Sequence, residues 1–165
     1  MKNKIIKYSN LLWLAVIAFA LFPLTTEAQN KKDKKEQIKR IVEAQNYVFK
    51  AQSALPTGGA TRQLTGDFDL RISKDTILSD LPYFGRAFTA PLNPSEGPLR
   101  FTSTDFQYAV SNRKKGGWNV TITPKDVQDP RQLTMSIFDN GTASVVVTSY
   151  NRQPISFNGY VTDKK

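Results

Sequence analysis

Leu133-Thr134-Met135-Ser136-Ile137-Phe138-Asp139-Asn140-Gly141-Thr142-Ala143-Ser144-Val145-Val146-Val147 is the stretch that decides the architecture. Two runs of alternating apolar and polar residues flank an Asp-Asn-Gly turn signal, the pattern of a hairpin with one dry and one wet face. Parity sets the loop length. A two-residue loop at Asn140-Gly141 would place Met135 against Val146 and Ile137 against Ser144, mixing apolar with polar positions. A three-residue loop, Asp139 to Gly141, instead pairs Ile137 with Ala143, Met135 with Val145 and Leu133 with Val147. This predicts a type I turn followed by a bulge, with Gly141 left-handed.

The same argument works outward from this hairpin. Around Lys114, Lys115 and Gly116 it pairs Val110 with Val120 and Tyr108 with Ile122. Alternation recurs at Phe68, Leu70 and Ile72, at Trp118, Val120 and Ile122, and at Ile155, Phe157 and Val161. The strands expected are Asp67–Ser73, Thr76–Phe84, Leu99–Ser103, Asp105–Asn112, Trp118–Thr123, Gln132–Phe138, Thr142–Tyr150 and Pro154–Val161, with Ala90–Pro98 as an exposed connector. Upstream, Ile38, Ile41, Val42, Val48, Phe49 and Leu55 recur at helical spacing, which predicts an amphipathic helix from Glu36 to about Ala54, ended by Pro56, Gly58 and Gly59. The fold class expected is α+β and mainly β. An N-terminal helix packs on the dry face of an antiparallel meander of about seven or eight strands, curled into a barrel or half-barrel, with a sandwich as the alternative.

Residues 1–28 read as a cleavable secretory signal. Lys2, Lys4 and Lys7 precede the apolar run Leu11–Leu24, and Thr26 and Ala28 supply the small residues that place cleavage between Ala28 and Gln29. An apolar run of about 14 residues is short for a membrane span, so no stable anchor is expected after cleavage. Residues 29–35 read as a flexible basic leader, 36–162 as a single domain and 163–165 as a C-terminal tail. The predicted localisation is the periplasm or cell envelope of a Gram-negative bacterium.

The net charge of +9 is concentrated at the ends of the chain: residues 1–28 carry +2, 29–40 carry +4 and the tail +1, which leaves the body near balance at +2. A body so balanced has no basic surplus to spread along a phosphate backbone, so no nucleic-acid partner is expected. His and Cys are both absent from the 165 residues. Ser-His-Asp and Cys-His nucleophilic catalysis, thiol redox chemistry and the usual zinc sites are therefore excluded. Asp67 and Asp69 share a strand face with Arg71, the pattern of a solvated face, and Asp126 with Asp129 in the loop Pro124–Pro130 reads as turn chemistry more than as a calcium loop. No catalytic residue, metal site or cofactor is predicted.

Asp75-Thr76-Ile77 is similar to the Asp-Ser/Thr-aliphatic acceptor of the general O-glycosylation system of exported Bacteroides-type proteins, which marks Thr76 as a candidate modification site. Leu81-Pro82-Tyr83-Phe84-Gly85-Arg86-Ala87 is the most distinctive run in the chain. Together with Val42-Glu43-Ala44 and the closing Ile155-Ser156-Phe157-Asn158-Gly159-Tyr160-Val161, it resembles the exported Bacteroidetes family known as domain of unknown function 4251, over Ile38 to Val161. The resemblance implies an envelope location and a lipocalin-like β fold, and brings no activity, ligand or catalytic residue with it. Read physically, Pro82 marks a bend and Gly85 a close approach. Tyr83, Phe84 and Arg86 are the candidate ligand-binding residues, at the mouth of a shallow cleft where Arg86 supplies a fixed positive charge. The function expected is a non-catalytic envelope binding or accessory domain for a small amphiphilic or glycan-type ligand, its partner a small molecule or an envelope protein. The alternatives are a structural or protein-interaction domain with a self-filled core and, third, a carboxylate-dependent hydrolase.

Overall fold

The computed structural model describes residues 24–88 and 99–164. The expected signal segment up to residue 23, the connector Ala90–Pro98 and Lys165 lie outside the described residues. The chain divides into two compact units, with the boundary between Lys34 and Lys35.

Helix α1 is Leu24–Glu43. Its first-unit residues 29–34 are exposed, and Gln29 Nε2 donates to Asp33 Oδ1 at 3.1 Å one turn on. The leader expected to be flexible is thus helical, because Gln and Lys are good helix formers and the segment runs unbroken into the amphipathic turns beyond it. In the second unit, Ile38, Ile41 and Val42 form the buried stripe of the helix.

The helix expected to reach Ala54 stops eleven residues earlier, at Glu43. Gln45 takes a left-handed backbone at φ 52°, its N–H donates to Val42 O at 3.2 Å, and the Asn46 N–H donates to Ile41 O at 3.0 Å. This is a Schellman ending, with Gln in the position usually given to Gly. The chain then enters strand β1, Tyr47–Pro56, in which Val48, Phe49 and Leu55 belong to a sheet. Tyr47, Val48 and Phe49 are buried in succession, so they form a dry run that fits either period, and pairing with the C-terminal strand decides it.

The remaining strands are β2 (Arg62–Gln63), β3 (Asp69–Ile72), β4 (Ile77–Leu81), β5 (Leu99–Ser103), β6 (Phe106–Asn112), β7 (Trp118–Pro124), β8 (Gln132–Ile137), β9 (Thr142–Thr148) and β10 (Ile155–Asp163). Asp163, expected in the tail, ends β10 opposite Tyr47 and accepts from Gln37 Nε2 at 2.7 Å. All pairings between named strands are antiparallel, in the order β5-β4-β3-β1-β10-β9-β8-β7-β6, with β2 added on β1. The first and last long strands pair, and the sheet's two edges, β5 and β6, are consecutive strands joined through Thr104 and Asp105. The second unit is a nearly closed up-and-down barrel.

Both hairpin registers read from parity hold. Ile137 faces Ala143, Met135 faces Val145 and Leu133 faces Val147, Val110 faces Val120 and Tyr108 faces Ile122, and Gly141 has φ 88°. The barrel interior is filled by its own side chains, with Tyr47, Phe49, Leu70, Met135 and Phe157 at 2% exposure or less. Tyr47 lies in this core and Tyr108 packs against it. Their hydroxyls lie 3.1 Å apart, Tyr108 donates to Val42 O at 3.2 Å, and burial pushes the Tyr108 phenol up to about 12.

Candidate functional site

Pro82, which has no N–H to continue a ladder, follows the last residue of β4. The chain then folds back on itself: a Cβ at Gly85 would lie 2.5 Å from the Tyr83 hydroxyl oxygen, so glycine is what lets the backbone cross the phenol ring. The Tyr83 hydroxyl lies within donating distance of two carbonyls, Arg86 O and Gln153 O, each at 2.9 Å. Beyond it, the segment zips onto the connection between β9 and β10. Gln153 N–H donates to Arg86 O at 3.0 Å, Ala87 bridges Arg152, and Phe88 N–H donates to Asn151 O at 2.8 Å.

Between this segment and the turn from β1 to β2 lies a cleft of about 330 Å³, lined by Thr57, Arg62, Phe84, Arg86 and Gln153 together with the turn backbone at Pro56 and Gly58–Ala60. Arg86 is exposed, and the Arg62 guanidinium carbon sits 4.9 Å from the centre of the Phe84 ring. Two arginines therefore line the cleft, and among the described residues no carboxylate does. Nearby, Arg152 Nη1 is 3.0 Å from Asp129 Oδ2, with both side chains largely buried, and the guanidinium lies 5.8 Å from the Tyr83 ring. Burial raises the Tyr83 phenol above its ordinary value, so it remains a neutral donor at physiological pH.

Of the three residues expected at the cleft mouth, Phe84 and Arg86 line it. Tyr83 does not. Its hydroxyl faces the two backbone carbonyls, which makes it the prop that sets the position of Arg86. Arg62 was not among the expected residues; it stands on the two-residue strand β2, too short to show any alternation. Thr76 is half-buried in the turn joining β3 to β4, where its carbonyl accepts from Ser73 N–H at 2.8 Å.

The carboxylates are committed elsewhere. Asp69 is buried on β3, with Lys50 Nζ at 3.0 Å and Arg71 Nη2 at 3.1 Å, while Asp67 is fully exposed. Burial alone would raise the Asp69 pKa, but the hydrogen bonds from Lys50 and Arg71 outweigh it and hold the carboxyl below its usual range. An acid held ionised in this way is no proton donor near neutrality. Asp126 clamps the corner between β5 and β6, accepting from Ser103 Oγ, from Thr104 N–H at 2.7 Å and from Asp105 N–H at 3.1 Å. Among the described residues no group of three or more acidic side chains is placed to hold a metal ion.

The model of a family described as Domain of unknown function (DUF4251) matches residues 29–161. The chain belongs to the DUF4251 family. A crystal structure of a DUF4251 family protein from Bacteroides eggerthii is similar to it at a TM-score of 0.56 and 15% sequence identity, covering 79% of this chain and 87% of that one. At that identity the likeness shows that the two share the DUF4251 fold. No curated protein matches the chain. The cleft residues of this DUF4251 chain are therefore read from its own geometry.

Proposed function

We propose that this protein is an exported, non-catalytic binding domain of the bacterial envelope that takes a small anionic amphiphile or acidic glycan in the cleft between Arg62 and Arg86. The observation that carries the reading is the cleft's composition: two arginines and an exposed aromatic ring line a concavity in which, among the described residues, no carboxylate stands. A guanidinium presents planar paired donors that suit a carboxylate or phosphate, and Phe84 offers an apolar surface to the rest of the ligand. Because the barrel interior is filled, the ligand sits outside it, unlike a ligand swallowed by a wide barrel.

Native mass spectrometry of protein purified from the envelope fraction tests this directly, with a carried anionic ligand expected and a chain beginning at Gln29. With dodecyl phosphate monomers as the probe, Arg86→Ala should weaken binding by about 1.5–3 kcal/mol, the range for a charged hydrogen bond, while Asp67→Ala leaves it unchanged. Equal affinities for Arg86→Ala and the parent would refute the site. A second reading, a structural or protein-interaction domain with a self-filled core, is favoured by one observation: the core is filled while Phe84, Phe88 and Tyr150 stay exposed.

A further inference from the structure

We infer that the end of the barrel carrying Phe88 and Tyr150 docks on an anionic lipid bilayer. These are the two most exposed large hydrophobic side chains among the described residues, at 70% and 66%. The Phe88 N–H bonds Asn151 O, which places Phe88 beside the turn that carries Tyr150. Phe84 adds a third exposed aromatic a few residues away. Leu78, Val110, Val146 and Tyr160, by contrast, lie on the barrel-wall strands β4, β6, β9 and β10, and Phe138 directly follows β8.

The charge around the aromatic cluster names the partner. Arg62 lies over Phe84, Arg131 lies 5.6 Å from the Tyr150 ring, and Arg86 and Arg152 flank the strand segments that carry Phe88 and Tyr150. Asp129 offsets one of these four guanidinium groups through its pair with Arg152. Aromatic rings at the rim with arginines beside them match the layering of a bilayer surface, where rings settle at the headgroup level and cations meet lipid phosphates. A single soluble ligand in the cleft would leave Phe88 and Tyr150 bare. The surface shares Arg62, Phe84 and Arg86 with the cleft, but Phe88 and Tyr150 lie outside it, and docking does not require a ligand there.

Cosedimentation with phosphatidylcholine vesicles, with and without phosphatidylglycerol, is the test. Binding is expected only with the anionic lipid, and Phe88→Trp should shift its emission to the blue on the same vesicles. Phe88→Ser with Tyr150→Ser should weaken vesicle binding about tenfold or more, with melting temperature and dodecyl phosphate affinity unchanged. Replacing Lys31, Lys32 and Lys34 by Gln should leave vesicle binding intact. No vesicle binding, equal binding to neutral vesicles, or loss of binding in the lysine variant but not in the aromatic one would each overturn the proposal. Should vesicles fail while dodecyl phosphate still binds through Arg86, the docking surface falls and the cleft stands.

Discussion

Gly141 stands where a side chain would meet both a strained backbone and a crowded neighbour. Its φ of 88° is in the left-handed region, and a Cβ there would lie 3.1 Å from Ile38 Cδ1 on the helix. Its N–H donates to Phe138 O at 2.9 Å and its carbonyl accepts from Val161 N–H at 2.8 Å, so the turn cannot swing away without breaking a tie to β10. Gly141→Val should lower stability by about 1–2 kcal/mol or more, because a β-branched residue resists the left-handed region. Urea denaturation reads this as a lower midpoint, and an unchanged midpoint would contradict the turn. Asp126 makes a second prediction at this scale. The Ser103 hydroxyl and then the Thr104 amide lower its folded pKa, so its contribution is complete above the unfolded value of about 3.9 and is lost as pH falls toward the folded one. Asp126→Asn should therefore melt earlier than the parent at neutral pH, with the gap narrowing as acid is added. A gap independent of pH would mean that the clamp does not depend on the charge.

Among the elements, the hairpins and strand β1 show opposite sides of what a pattern can reveal. The β8–β9 turn was readable because parity excludes the two-residue loop when both strands keep a wet and a dry face. Strand β1 was not, because its first three residues are all buried and its partner β10 lies at the other end of the chain. Nor did the helix ending announce itself, since a left-handed Gln45 carries none of the signal that Gly would. At the candidate site, Pro82 and Gly85 pointed to a bend and a close approach, and both are there. The role of Tyr83 depends on the carbonyl of Gln153, seventy residues away in sequence, which no local reading supplies.

For the whole molecule, the pairing of β1 with β10 decides stability more than any single residue. It runs from Tyr47 opposite Asp163 to Pro56 opposite Ile155, and β10 also carries Phe157 and Val161 into the core. Ending the chain before Ile155 should therefore remove the cooperative unfolding transition altogether, leaving a collapsed or aggregating chain by circular dichroism and light scattering. A truncated chain that still melts sharply would mean that the other strands hold a core alone.

That same pairing governs timing as the protein is made. Strand β1 leaves the ribosome first among the strands, and the partner that completes its ladder leaves last. Contacts so distant along the chain form slowly, so the barrel cannot close until nearly all of the chain has been made. Delay built into the topology would suit a chain that has to cross a membrane before it folds.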